Sequence, residues 1–171
     1  MRVGVGYDIH QLIESKELDF KLSGISIPFH KRCVAHSDGD VAIHALIDAL
    51  LGAAALGDIG AHFPDTDPEY KNADSTILLL RAHQLLKEND FAIENIDLNI
   101  ITEQPKLAPY INAMRERLSE ILQIKKEKIS IKAKTNEQLD AIGRGKAIAA
   151  QAIVLVQSSK IQSSKNTHPE P

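Results

Sequence analysis

From Cys33 to Tyr70 the sequence contains no lysine or arginine, although the 171-residue chain carries 20 of them. The same 38 residues hold Asp38, Asp40, Asp48, Asp58, Asp65, Asp67 and Glu69. The formal net charge of -3 therefore combines an acidic segment of seven negative charges with a remainder of net +4. A globally basic nucleic-acid binder is disfavoured, because affinity for nucleic acid needs lysines and arginines clustered against the phosphates. A single cysteine, Cys33, excludes an internal disulfide framework and fits a reducing compartment, so a cytoplasmic location is expected. No run reaches the roughly 18 apolar residues of a membrane span. The start, Met1-Arg2-Val3-Gly4-Val5-Gly6, lacks the apolar stretch of about 7 to 15 residues that marks a secretory signal.

What is present suits one core. At 43% hydrophobic residues the chain is expected to form a single domain, burying about 70% of its unfolded surface. Residues 2 to 7 alternate through Val3 and Val5 as a strand that ends at Asp8-Ile9-His10. Residues 20 to 27 read as a second strand stopped by Pro28. Val41, Ala42, Ala45, Leu46, Ala49, Leu50 and Ala53 recur at helical spacing, with Ser37 or Asp38 as N-cap and Gly57 as the stop. Residues 57 to 73, with Gly57, Gly60, Pro64 and Pro68, predict a long ordered loop. Helices are expected over 74 to 89 and 108 to 124, and strands over 98 to 102, 129 to 133 and 148 to 156, with Gly143-Arg144-Gly145 as a turn. Residues 1 to 157 then form the domain, and the polar residues from 158 to 171 a disordered tail.

This order predicts an α+β two-layer sandwich, with three main helices on one face of a mixed sheet. No further helix remains to cover the other face, so a symmetric oligomer is expected.

Asp40, His44 and Asp48 are spaced i, i+4, i+8, which places them along one edge of a helix. They read either as an acidic solvated stripe or as a histidine ligand oriented by a neighbouring carboxylate. In an extended segment Asp8 and His10 point to the same side, about 7 Å apart at the backbone. With His44 they would make an Asp, His, His set with one position open, the composition of a catalytic zinc site, although the same donors suit Mn or Fe. The alternative is a strand end with an unrelated exposed histidine. His36-Ser37-Asp38-Gly39-Asp40 precedes a helix N-terminus, where an anion or merely a cap would sit. Phe63-Pro64-Asp65-Thr66-Asp67 suits hydroxyl groups, or is turn punctuation. Lys134, Thr135 and Arg144 are phosphate-binding types and Glu137 a candidate cation ligand, but neither KTNE nor GRG is a specific motif. His30, His83 and His168 fall in no pattern.

Five segments in order, GYDIH at 6 to 10, HSDGDVAIHALIDALLGAAALGDIG at 36 to 60, FPDTD at 63 to 67, QPKLAPY at 104 to 110 and KTNEQLDAIGRG at 134 to 145, resemble the 2-C-methyl-D-erythritol 2,4-cyclodiphosphate synthases of the non-mevalonate isoprenoid pathway. The resemblance implies a homotrimer with active sites between subunits. It implies Asp8, His10 and His44 as ligands of a divalent cation, zinc or else Mn or Co, and Glu137 as ligand of a Mg or Mn that bridges two phosphates. His36 and Thr135 match positions credited with transition-state stabilisation. The methylerythritol wall would comprise Asp58, Ile59, Gly60, Phe63, Pro64, Asp65, Thr66 and Asp67, with Ser37 a further substrate contact. The cytidine wall, from a neighbouring subunit, would comprise Thr102, Glu103, Gln104, Pro105, Lys106, Leu107, Ala108, Lys134, Thr135, Asn136 and Glu137, with Arg144 on phosphate. Lys134 stands where members often have Thr, and Ala141, beside the same wall, where an aromatic is common.

The implied reaction is attack of a 2-phosphate on the β-phosphorus of a cytidine diphosphate ester, releasing CMP. A phosphate monoester with second pKa of about 6 is already ionised at neutral pH, so alignment and charge neutralisation are what a protein must add. A zinc hydrolase giving a linear product, and a non-catalytic trimeric metal- or nucleotide-binding protein, are the other readings of the same residues.

Overall fold

The structure, a computed structural model, describes residues 1–70 and 72–159. The strands are β1 (Arg2–Glu14), β2 (Phe20–Leu22), β3 (Ile25–Ile27), β4 (Lys31–Val34), β5 (Phe91–Ile101), β6 (Ile129–Lys134) and β7 (Ala147–Ser158). The helices are α1 (Val41–Ala54), α2 (Ile59–His62), α3 (Ser75–Glu88), α4 (Ile111–Leu122) and α5 (Asp140–Gly143). Five strands form one sheet in the order β4-β1-β7-β5-β6. Only β5 and β6 are parallel, so the sheet is mixed. α1 lies on β1 and β7, α3 on α1 and β5, and α4 on β6, all on one face, as expected.

Several elements differ from expectation for identifiable reasons. β1 runs through residue 14, so Asp8 and His10 sit inside the strand, paired with Ala150 and Ile148, rather than at its end. Residues 20 to 27 are a hairpin, because Ser23 and Gly24 both take positive φ, 52° and 75°, in a two-residue turn. β4 is a four-residue edge strand too short to show periodicity. β5 begins at Phe91 instead of 98 because a register shift between Ile93 and Asn95 breaks the period-2 alternation that marks a strand. The 57 to 73 segment contains α2 and a 3₁₀ turn at Pro68–Tyr70. β7 includes Ser158, the first residue of the expected tail, and residues 160–171 lie outside the described ones.

α1 is the organising element. Twelve of its fourteen residues are buried and Asp48 is half-buried, so α1 is not the acidic solvated stripe that was one reading of residues 40, 44 and 48. It ends at a left-handed Ala55, two residues before Gly57. Its N-cap is Asp40, not Ser37 or Asp38. Asp40 is fully buried and accepts the N–H groups of Ile43 (3.1 Å), Ser23 (2.9 Å) and Gly24 (2.7 Å), tying the β2-β3 turn to the helix. Ile43, Leu46, Ile47 and Leu50 belong to the same buried core cluster as Ile148 and Val154, each contributing roughly 1.5–3 kcal/mol relative to exposure. On the opposite sheet face Val3, Val5, Tyr7, Ile9 and Ile153 are 44–65% exposed. No helix among the described residues is long and apolar enough to cross a membrane.

Candidate metal centre and active-site cavities

Alternation along β1 turns Gly4, Gly6, Asp8 and His10 toward α1. The glycines allow α1 to lie directly on the strand: a Cβ on Gly6 would stand 1.9 Å from the carbonyl oxygen of Ala45. That close approach brings His44, the neighbour of Ala45, onto the two β1 side chains. Asp8 Oδ2, His10 Nε2 and His44 Nδ1 form a triangle with all three sides 3.0 Å. An ion with bonds of about 2.0–2.2 Å spreads tetrahedral ligand atoms by roughly 3.3 Å, so this triangle needs little adjustment to accept one. Among the described residues it is the one such group of three or more donors.

The electrostatics agree with a cation ligand set. The Ile9 N–H holds Asp8 Oδ1 at 2.9 Å, which leaves Oδ2 to the rings. Burial works to raise the Asp8 carboxyl, but hydrogen bonds and charge from His10 and His44 outweigh it and hold the group well below the usual carboxylate range. Burial works to lower His44, and the Asp8 carboxylate reverses this and raises it. Such mutual stabilisation of a carboxylate and imidazoles is what an ion replaces when it displaces the ring proton.

The triangle opens into a cavity of about 380 Å³ lined by His36, Ser37, Asp48, Ile59, Gly60, Phe63, Pro64 and Asp65, without a lysine or arginine. The structure thus brings together most of the expected methylerythritol wall. Asp58 is not on that lining: its carboxylate caps α2 through the Ala61 N–H at 2.9 Å. Thr66 and Asp67 follow the lining residues, with Asp67 bonded to the Glu69 N–H. Asp40, expected on the same edge as His44, is used up as the helix cap, while Asp48 lines the cavity and anchors the Ile59 N–H at 2.7 Å. Ser75 was not foreseen; its Oγ lies 2.9 Å from His44 Nε2, with Ser37 Oγ at 3.0 Å. The one sequence signal for Ser75 is its place just after the Asp74 cap of a predicted helix.

The expected nucleotide wall lies elsewhere. Thr102, Pro105, Lys106, Leu107, Ala108, Lys134 and Thr135 line a cavity of about 160 Å³ at the end of β5 and β6. Glu103, Gln104 and Arg144 line another beside it, with Lys31 and Gln138. The Glu103 carboxylate ties the two together by accepting the Asn136 and Gln138 N–H groups. Glu137 accepts the Thr135 hydroxyl at 2.9 Å and is not part of the metal triangle. Ala141 is exposed on α5. β6 is three strands from β1, roughly 14 Å at normal strand spacing. Within one chain, the two walls therefore do not face each other across one cavity.

A family model described as the YgbB family matches residues 1–157. The chain belongs to the YgbB family. A 2-C-methyl-D-erythritol 2,4-cyclodiphosphate synthase of Clostridium perfringens (strain ATCC 13124) is 51% identical over 156 residues, covering 91% of this chain and 99% of that one. A solved 2C-methyl-D-erythritol-2,4-cyclodiphosphate synthase in a CDP-bound form superposes with TM-score 0.84 at 38% identity, covering 91% of this chain and 100% of that one. The IspF–CDP complex of Plasmodium falciparum gives TM-score 0.80 at 35% identity over 92% and 96% of the two chains. The expected resemblance and the expected sheet-and-helix architecture are both borne out.

Proposed function

We propose that residues 1–157 are a single catalytic domain that converts 4-diphosphocytidyl-2-C-methyl-D-erythritol 2-phosphate into 2-C-methyl-D-erythritol 2,4-cyclodiphosphate and CMP. It would act as a cytoplasmic phosphorus–oxygen lyase of the non-mevalonate pathway. The observation that carries this reading is the 3.0 Å triangle of Asp8, His10 and His44 at the base of an acidic cavity. Relatives of about half identity carry that activity in their names.

In the step, a 2-phosphate oxygen bonds to the β-phosphorus, and the bond from that phosphorus to the bridging oxygen breaks, so that CMP departs with the electron pair. No carbon centre needs a base. Asp8, His10 and His44 would hold zinc or a similar divalent ion, and Glu137 a Mg or Mn ion; bound there, these supply Lewis-acid neutralisation of phosphate charge. The rest is positioning. Ile59, Gly60, Phe63 and Pro64 shape an apolar wall against the carbon chain, and Asp65 accepts from its hydroxyls. His36 and Ser37 reach the phosphates from the lip of the cavity. Lys106, Lys134 and Thr135 receive the cytidine diphosphate, with Arg144 on a phosphate oxygen.

The separation of the two walls within one chain supports a homotrimer in which the nucleotide wall of one copy meets the metal cavity of the next. The exposed apolar stripe of Val3, Val5, Tyr7, Ile9 and Ile153 supports the same assembly, because an open apolar sheet face of this kind favours association. The deciding experiment is incubation of the protein with the linear substrate, zinc and magnesium, followed by phosphorus NMR. Cyclic diphosphate with equimolar CMP is expected. A linear hydrolysis product, or no turnover in any metal, would overturn the reading.

A further inference from the structure

The hydroxyl of Ser75 has one proton, and its partners settle where that proton goes. Ser75 Oγ lies 2.5 Å from Asp38 Oδ1, and a carboxylate only accepts, so Ser75 donates to Asp38. Asp38 is itself held in place, with Oδ1 accepting the Asp40 N–H at 3.2 Å and Oδ2 the Ser75 N–H at 3.1 Å. With its proton committed, Ser75 can meet His44 Nε2, 2.9 Å away, only as an acceptor. The nitrogen that keeps a proton is thus Nε2, and Nδ1, which faces Asp8 and His10, is the nitrogen that supplies a lone pair.

We propose that Asp38 and Ser75 form a relay that positions the metal ligand: Asp38 orients the Ser75 hydroxyl, Ser75 retains the His44 Nε2 proton, and Nδ1 is thereby committed to the ion. Asp38 makes no hydrogen bond to His44 or to the triangle; it reaches His44 through the Ser75 hydroxyl, with its charge a smaller influence on the ring. One consequence reaches the substrate. Ser37 Oγ is 3.0 Å from the same Nε2–H and must also accept from it, so the Ser37 proton is free for an acceptor in the cavity that Ser37 lines.

The inference rests on the metal-centre reading, and its test separates the two. Zinc affinity of the full chain is measured by chelator competition for wild type, Ser75→Ala, Asp38→Ala, Ser37→Ala and the Asp38→Ala/Ser75→Ala double variant, with melting curves confirming that each is folded. Loss of an outer partner of a ligating histidine weakens metal binding by about 10–100-fold, which is expected for Ser75→Ala and Asp38→Ala. Ser37→Ala removes the second acceptor of the same proton but leaves Ser75 and Asp38 in place, so its loss of affinity should be smaller than that of Ser75→Ala. The double variant should bind no more weakly than Ser75→Ala alone, since the second change acts through a hydroxyl already absent. Additive losses, or affinity unchanged in Ser75→Ala, would overturn the relay. Absence of zinc binding in wild type would overturn the metal reading instead, and solvent exchange of the His44 Nε2 proton by NMR then decides the relay by itself: it should be at least about tenfold faster in Ser75→Ala, and an unchanged rate refutes it.

Discussion

Gly6 lies against Ala45 so closely that a methyl group on Gly6 would stand 1.9 Å from the Ala45 carbonyl oxygen. This contact sets the height of α1 above β1, and hence the distance from His44 to Asp8 and His10. Gly6→Ala must push the helix outward by more than an ångström or bend the strand. Overpacking of this kind costs about 1–3 kcal/mol or more. The expected result is a lower melting temperature and a zinc affinity reduced at least about tenfold. A Gly6→Ala protein with wild-type zinc affinity would show that the helix height does not control the triangle.

His44→Ala and Glu137→Gln should separate the two cation roles. His44 is 9% exposed and bonded to Ser37 and the buried Ser75, so its removal leaves the Ser75 oxygen without its donor and lowers stability by about 1–3 kcal/mol, with the fold retained. Zinc binding and turnover should both be lost. Glu137 is exposed and outside the metal triangle; Glu137→Gln should keep zinc and require more magnesium for half-maximal CMP release. An unchanged magnesium requirement would remove Glu137 from cation binding.

Val5→Glu tests the assembly. Val5 is 61% exposed in the single chain, in the middle of the apolar stripe on the open sheet face. If that face is buried between copies, a buried unpaired carboxylate costs several kcal/mol and the trimer dissociates. Light scattering should then report monomers that bind zinc but release no CMP. A monomeric variant with full turnover would mean that one chain holds a complete site.

His83 governs part of the acid stability. Burial, with a smaller contribution from the Lys87 charge, pushes it down from 6.5 to about 4. Between those values the unfolded chain binds a proton that the folded chain does not, so this contribution is fully present above pH 6.5 and fades as pH falls toward 4. His83→Gln removes the proton-binding group from both states. In urea titrations, stability of wild type relative to the variant should fall by on the order of 2 kcal/mol between pH 7 and 4.5. Parallel pH profiles for the two proteins would show that His83 is not buried in its neutral form.

The layer order is legible from residue spacing, whereas Asp8, His10 and His44 as a candidate ligand set is one of two readings of their spacing and is singled out by the family resemblance. Asp8 and His10 share a face because strand side chains alternate, and that holds wherever the strand ends. The helix periods of α1, α3 and α4 were equally visible. The N-terminal half of β5 is not legible because a bulge interrupts its alternation, and the β2-β3 hairpin looks like one strand because the apolar flanks of Ser23-Gly24 obscure a turn set by backbone angles. The i, i+4 spacing of Asp40 and His44 cannot tell a cap from a face; the three N–H partners of Asp40 come from two separate segments.

By itself the sequence determined the family, the acidic segment without lysine or arginine, and the donor types at residues 8, 10 and 44. These depend on local order and residue chemistry, which do not change on folding. Only the tertiary structure decided that His44 presents Nδ1 to Asp8 and His10, that Ser75 and Asp38 stand behind it, that Asp48 rather than Asp58 lines the cavity, and that Lys106, Lys134 and Thr135 line a separate cavity at the end of β5 and β6. Those relations join segments tens of residues apart, and they are set by helix packing on glycine, by burial and by strand order, none of which residue spacing encodes.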